Sequence, residues 1–167
     1  INCYHGSVHN KVDFYKSFAK SCNASFANIG MTLDLASFSD TLDDLLFGQE
    51  LPFDLVHAKS STAISTDTED SQRIQTSIGQ GKTLMTPLHL NMITSAIAND
   101  GKLMKPYVVD QIQSADGKVL KTYNPIIAET LITEEESQIL QELMIKVVES
   151  GTASRLKSYG YTAGGKT

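Results

Sequence analysis

Asp13-Phe-Tyr-Lys-Ser17-Phe-Ala-Lys20-Ser21-Cys22-Asn23-Ala-Ser-Phe26-Ala-Asn-Ile29-Gly30 is the stretch on which the reading of this chain turns. Phe14, Tyr15, Phe18, Cys22, Phe26 and Ile29 recur with the 3.6-residue period of one helix face. Two readings fit that pattern. In the first, one amphipathic helix runs from an Asp13 N-cap to Gly30 just past its end, and Ser21 and Asn23 are exposed polar positions. In the second, the helix breaks at the triplet. Serine and asparagine compete with a helix for backbone hydrogen bonds, so Ser21-Cys22-Asn23 becomes a polar loop between two packed helices. Cys22 lies between two outward polar residues, on the apolar side, and is expected to point into the core rather than act as a reactive thiol.

Composition bounds the rest. At 167 residues, 41% hydrophobic and 20% charged, the chain has the apolar content of one ordinary globular domain and lies outside the disordered and fibrous classes. Its net charge of -5 comes with scattered Lys and Arg, so there is no basic footprint for nucleic acid. No apolar run approaches the roughly 20 residues that span a bilayer, and the first residues lack the pattern of a secretory leader. Two cysteines and four histidines without a close cluster in sequence give no disulfide framework and no expected zinc site, metal or cofactor. The chain starts without Met and stops after Gly-Gly-Lys-Thr167, which suggests a piece of a longer protein.

Outward from the opening stretch, residues 1–11 read as a loop. Leu33, Ala36, Leu42, Leu45 and Leu46 predict a helix that starts after Thr32 and stops at Gly48. Residues 49–72, with Pro52 and a long Ser/Thr/Asp run, read as a long surface loop. Thr86-Pro87 opens a mostly apolar helix ending at Gly101, which is expected to be buried on most sides at the centre of the domain. Residues 107–112 and 119–123 flank Asp116-Gly117 as a β-hairpin. Thr133-Glu-Glu-Glu136 is a capping box for a helix stopping at Gly151, and 152–158 could add one short helical turn. Residues 161–167 look like the start of a strand.

Three short patterns are weak in context. Gly160-Tyr-Thr-Ala-Gly-Gly165-Lys166-Thr167 fits the phosphate-loop pattern, but that loop needs a buried apolar strand before it and a helix after it. Gly79-Gln-Gly81-Lys82-Thr83 lacks the first glycine, whose place Thr76 takes. Ser17-Phe-Ala-Lys20 and Ser154-Arg-Leu-Lys157 match S-x-x-K, the spacing of a serine nucleophile and its lysine base, yet neither serine lies at the buried start of a helix.

The combination is more specific. Ser21-Cys-Asn23, then Ile78-Gly-Gln-Gly81 with Thr86-Pro-Leu88, Ala98-Asn-Asp-Gly101 with Pro106, Gly151-Thr-Ala153 and finally Lys166-Thr167 closely resemble the transpeptidase domain of penicillin-binding proteins. His5-Gly6 adds to the likeness. The resemblance implies an α/β fold in the broad sense, mixed α+β, with an antiparallel sheet packed by helices and a helical region carrying Ser21 to Asn23. It implies one partial domain over 1–167, truncated at both ends: the first motif, S-x-x-K with the nucleophile, is missing, and the third is cut before its glycine.

By this resemblance Ser21, Asn23 and Lys166 are catalytic, and Asn23, Lys166 and Thr167 bind substrate. Ser21 passes a proton toward the leaving nitrogen, Asn23 hydrogen-bonds the substrate amide, and Lys166 and Thr167 receive its carboxylate. The parent would be a serine-type D,D-transpeptidase that cross-links peptidoglycan, a β-lactam target anchored at the extracytoplasmic face of the bacterial membrane. The partners implied are stem peptides, β-lactams, the rest of the same domain and possible copies of the fragment; this chain alone is expected to be inactive. A non-catalytic β-lactam-sensing or peptidoglycan-binding module, or a serine β-lactamase relative, is the alternative.

Overall fold

The computed structural model describes residues 1–157 and 160–167. The helix predicted from the capping box organises them. Thr133 Oγ1 accepts from the Glu136 amide while a Glu136 carboxylate oxygen accepts from the Thr133 amide at 2.8 Å, and α6 (Glu134–Ser150) follows with three acidic residues in its first turn. That charge suits the positive end of the helix dipole. Leu143, Val147 and Val148 bury one face, and Ser137 and Gln141 tie α6 to α5 by hydrogen bonds to the Ile97 carbonyl at 2.6 and 2.7 Å.

Helix α5 (Pro87–Ala98) starts as predicted, with the Thr86 hydroxyl accepting from the His89 amide. It is buried on one face only, through His89, Met92 and Ala96; Leu90 lies on its open side, 55% exposed. The expected burial on most sides is therefore corrected. Beyond Gly101 the chain reverses into β1 (Lys102–Met104), whose antiparallel partner is β4 (Ile127–Thr130). Strands β2 (Gln111–Gln113) and β3 (Val119–Thr122) form the predicted hairpin, shorter than the pattern suggested, with Gly117 at φ +84 in its turn. Both sheets are two-stranded and antiparallel. The fold is thus mixed α/β.

The opening stretch breaks. Helix α1 (Phe14–Ala19) and helix α2 (Asn23–Thr32) are separate, so the continuous-helix reading fails. Gly30 does not end α2. It sits inside, where a β-carbon would meet Ser77 Oγ at 1.9 Å, because α2 and α4 (Asp70–Ser77) cross closely there. Helix α3 (Leu35–Asp44) starts later than predicted, at an Asp34 N-cap whose carboxylate accepts from the Ser37 amide. The segment before α4 carries no helix, but it is not merely a surface loop: Leu51, Ser60 and Ile64 are buried, and Ser61 bridges Leu84.

Two apolar clusters result. Leu46, Leu51, Met92, Ala96 and Leu103 form one, and Leu42, Phe47 and Ile64 the other. The predicted turn after α6 is a 3-10 segment, Ser154–Leu156; its expected last residue, Ser158, lies outside the described residues. Residues 161–167 are irregular rather than a strand, held by the Gly165 amide donating to the Met144 carbonyl at 3.1 Å. Among the described residues no strand leads directly into the phosphate-loop match, which follows α6 and the 3-10 segment.

Candidate active site

The break between α1 and α2 is a helix stop of defined geometry. The Ser21 amide donates to the Phe18 carbonyl at 3.1 Å and the Cys22 amide to the Ser17 carbonyl at 2.9 Å, the paired bonds of a Schellman motif. Its left-handed position is normally glycine, but here it is Ser21, at φ +50. A hydroxyl is thereby held at the tip of the turn in a conformation that non-glycine residues rarely adopt. Cys22, buried, is at once the end of this stop and the N-cap of α2, and Asn23 is the first residue of α2.

The far end of the chain meets this turn. Lys166 Nζ donates to Ser21 Oγ at 2.7 Å, across 145 positions of sequence. Ser21 Oγ in turn donates to the Thr167 carbonyl at 2.8 Å, which Lys166 Nζ also contacts. The Lys166 ammonium lies 5.6 Å from the centre of the Phe18 ring and takes part in none of the ion pairs found among the described residues. Burial pushes its amine below the usual lysine range. Thr167 Oγ1 shares a hydrogen bond with Thr152 Oγ1 at 2.6 Å.

Gly151 places α1 against α6. Its backbone passes so close to the end of α1 that a β-carbon there would sit 2.1 Å from the Ala19 carbonyl oxygen. The Thr152 amide donates to that same oxygen and Lys20 Nζ to the Ser150 carbonyl. These contacts fix where Ser21 stands. Around it opens a cleft of about 1240 Å³, lined among others by Ser21, Asn23, Ile78, Gln80, Thr152 and Lys166.

The predicted site residues come together, with one difference. Asn23 lines the cleft, but its side-chain amide donates to the Asn2 carbonyl at 3.0 Å instead of turning toward Lys166. Neither S-x-x-K match makes a serine–lysine pair. Ser17 Oγ is taken up by the Asp13 carbonyl at 2.7 Å and by Ser25, while Lys20 reaches Ser150; Lys157 Nζ is directed to the Glu149 carbonyl.

One cluster was missed. Cys3, His9 and Cys22, far apart in sequence, bring their side-chain donor atoms within 4.8 Å of one another, a cluster in space where the sequence shows no close one and offers no support for a zinc site. Burial pushes the Cys22 thiol up, but polar contacts with Ser25, His9 and Cys3 outweigh it and hold the thiol at about 6. The spacing Cys-x5-His-x12-Cys carries no common motif, so only the fold exposes the cluster.

A serine in a left-handed conformation, hydrogen-bonded to a partly desolvated lysine amine in a cleft with an amide at its rim, brings together groups able to pass a proton and to hydrogen-bond a carboxylate or an amide. A model of the penicillin binding protein transpeptidase domain matches residues 2–167, and the chain belongs to that family. The peptidoglycan D,D-transpeptidase PbpA of Mycolicibacterium smegmatis is 28% identical over 137 residues, which cover 80% of this chain and 27% of that protein. The D,D-transpeptidase domain of a peptidoglycan glycosyltransferase from Eggerthella lenta superposes with a TM-score of 0.87 at 21% identity, covering 97% of this chain and 42% of that one. Penicillin-binding protein A from Mycobacterium tuberculosis, solved as an imipenem acyl-enzyme complex, gives a TM-score of 0.78 at 25% identity, covering 87% of this chain and 34% of that one. The chain spans about a quarter of the length of the curated relatives it matches.

Proposed function

We propose that the protein is a serine-type D,D-transpeptidase, working at the extracytoplasmic face of the membrane, and that these 167 residues supply its proton-transfer and carboxylate-binding side but not its nucleophile. The observation that carries this is the 2.7 Å contact of Lys166 with Ser21 at the helix break. In the reaction a serine hydroxyl outside the motifs present here attacks the carbonyl carbon of the penultimate D-alanine. The carbon–nitrogen bond breaks, and the departing amine must gain a proton. Ser21, able to donate and accept at once, relays it. Lys166 holds positive charge beside Ser21 and the substrate carboxylate, Thr167 adds a hydroxyl to that carboxylate, and Asn23 orients the substrate amide after leaving Asn2. The resulting acyl-serine passes the acyl group to the amine of a neighbouring stem peptide. β-Lactams enter by the same route and remain as acyl groups, as imipenem does in the mycobacterial relative.

The support for a nucleophile elsewhere is that the Ser17 hydroxyl is consumed by backbone and Ser25, and the lysines of both S-x-x-K matches bind main-chain carbonyls. Mass spectrometry after incubation with a labelled penicillin tests the reading. The 167-residue chain is expected to stay unlabelled and the protein extended on both sides to carry one penicilloyl group, lost on Lys166→Ala. An adduct on Ser17 or Ser154 would overturn the assignment of the nucleophile. Labelling of the extended protein without any turnover of peptide substrate would favour a β-lactam-sensing or peptidoglycan-binding module instead.

A further inference from the structure

We propose that Cys3, His9 and Cys22 form a binding site for a thiophilic divalent cation of the zinc class, tying the amino-terminal segment to the Ser21–Asn23 turn. Four observations support it. First, the donor atoms converge within 4.8 Å, the size of one metal coordination sphere. Second, Cys3 Sγ and Cys22 Sγ stand 3.8 Å apart. Two sulfurs bound at about 2.3 Å to a tetrahedral ion are separated by about 3.8 Å, whereas a disulfide requires closure to about 2.05 Å. Third, among the described residues His9 Nδ1 is buried with no partner at hydrogen-bond geometry, although the imidazole lies close to the Cys22 thiol. Such a nitrogen costs free energy unless something binds it. A disulfide would leave it unsatisfied, whereas a metal ion bound by the imidazole relieves it.

Fourth, the chemistry balances. Each thiol yields its proton to solvent on binding, and two thiolates with one neutral imidazole cancel the charge of a dication. Both cysteines are buried, where an isolated ion of either sign would be expensive and a neutral assembly is tolerated. The soft sulfur donors select zinc-class ions over magnesium or calcium, which prefer oxygen. Three protein donors leave a fourth tetrahedral position on a site whose Cys3 and His9 also line the cleft, open to water or another side chain.

The site has a structural consequence that requires no role for the metal in acyl transfer. Cys22 lies between Ser21 and Asn23, and Asn23 already bonds Asn2, next to Cys3. A bound ion would clamp residues 2–9 onto the turn and fix the orientation of both catalytic side chains.

The test is cobalt(II) titration of the reduced, chelator-treated protein. One equivalent is expected to bind, with a near-ultraviolet sulfur-to-cobalt charge-transfer band that zinc displaces. Cys3→Ser, Cys22→Ser and His9→Gln should each weaken binding by at least about a hundredfold, more than loss of an outer-shell partner costs, while His5→Ala should not. Because a variant could fail to fold, the unsubstituted protein supplies a second readout: excess zinc should raise its unfolding midpoint. The absence of a charge-transfer band with the unsubstituted protein overturns the proposal. So does equal uptake by Cys22→Ser, or a Cys3–Cys22 disulfide that persists as the stable state with equimolar zinc present.

Discussion

Ser21 occupies a backbone position that favours glycine, and under the proposed function its hydroxyl is the reason that position is not glycine. The left-handed conformation costs a non-glycine residue about 1 kcal/mol or more, and the strain sits in contact with Lys166. Ser21→Gly should therefore stabilise the fold by about 1 kcal/mol, measured by denaturant unfolding, while penicillin acylation of the extended protein falls by about a hundredfold or more. A variant that loses both stability and acylation would show that the hydroxyl's hydrogen bonds outweigh the strain. Some of this was legible in the sequence. The tendency of Ser21 and Asn23 to leave a helix marked the triplet, and the family pattern paired it with Lys166. The hydrogen bond from the Asn23 side chain to the Asn2 carbonyl and the meeting of Cys3, His9 and Cys22 were not legible, because both depend on how an irregular amino-terminal segment folds back, and irregular segments have no period to read.

The elements that hold the site depend on two close approaches that can be tested. Gly151 lies where a β-carbon would strike the Ala19 carbonyl. Gly151→Ala should cost about 1–3 kcal/mol as overpacking and loosen α1 from α6, so acylation of the extended protein should drop together with the unfolding midpoint; an unchanged midpoint would mean that the helices separate freely. His89, 1% exposed, links three elements. Its Nε2–H donates to the Leu45 carbonyl at 2.7 Å, and its Nδ1 accepts from Ser60 Oγ, which itself accepts from the Thr86 amide. Burial depresses its pKa, against the pull of the Leu45 carbonyl. The unfolded state thus binds a proton more readily, and stability is full above about 6.5 and declines as the pH falls through that value toward the lower folded one. The unfolding midpoint should drop between pH 7 and 5, and His89→Gln should flatten that slope; an unflattened slope would assign it to other groups. The capping box, Thr86-Pro87 and the Asp116-Gly117 turn were readable because each is a local rule. Helix α4 and strands β1 and β4 were not. They are short, α4 carries a single apolar residue, and all three exist because of partners: Gly30 beneath α4, and β1 and β4 for each other.

At the scale of the molecule, the β2–β3 hairpin and the start of β4 leave apolar side chains open. Ile112, Val119, Leu120, Ile126 and Ile127 are all exposed. Exposed apolar side chains in such number promote association, so the 167-residue chain is expected to exceed monomer mass in light scattering at high concentration, and the extended protein not to. A monodisperse monomer of the chain would show that these side chains are harmless in water. The contact between Ser21 and Lys166 also bears on the order of folding events. Closing 145 residues of chain costs configurational entropy that grows with the logarithm of the loop, and nothing offsets it until α1 has already met α6. The polar centre should therefore assemble after the transition state, once the shorter-range contacts of α5 with α6 have formed and α1 has docked on α6 across a loop of nearly the same length. Substitutions at Ser21 or Lys166 would then alter the unfolding rate and leave the refolding rate nearly unchanged, whereas substitutions at Ser137 or Met92 would slow refolding.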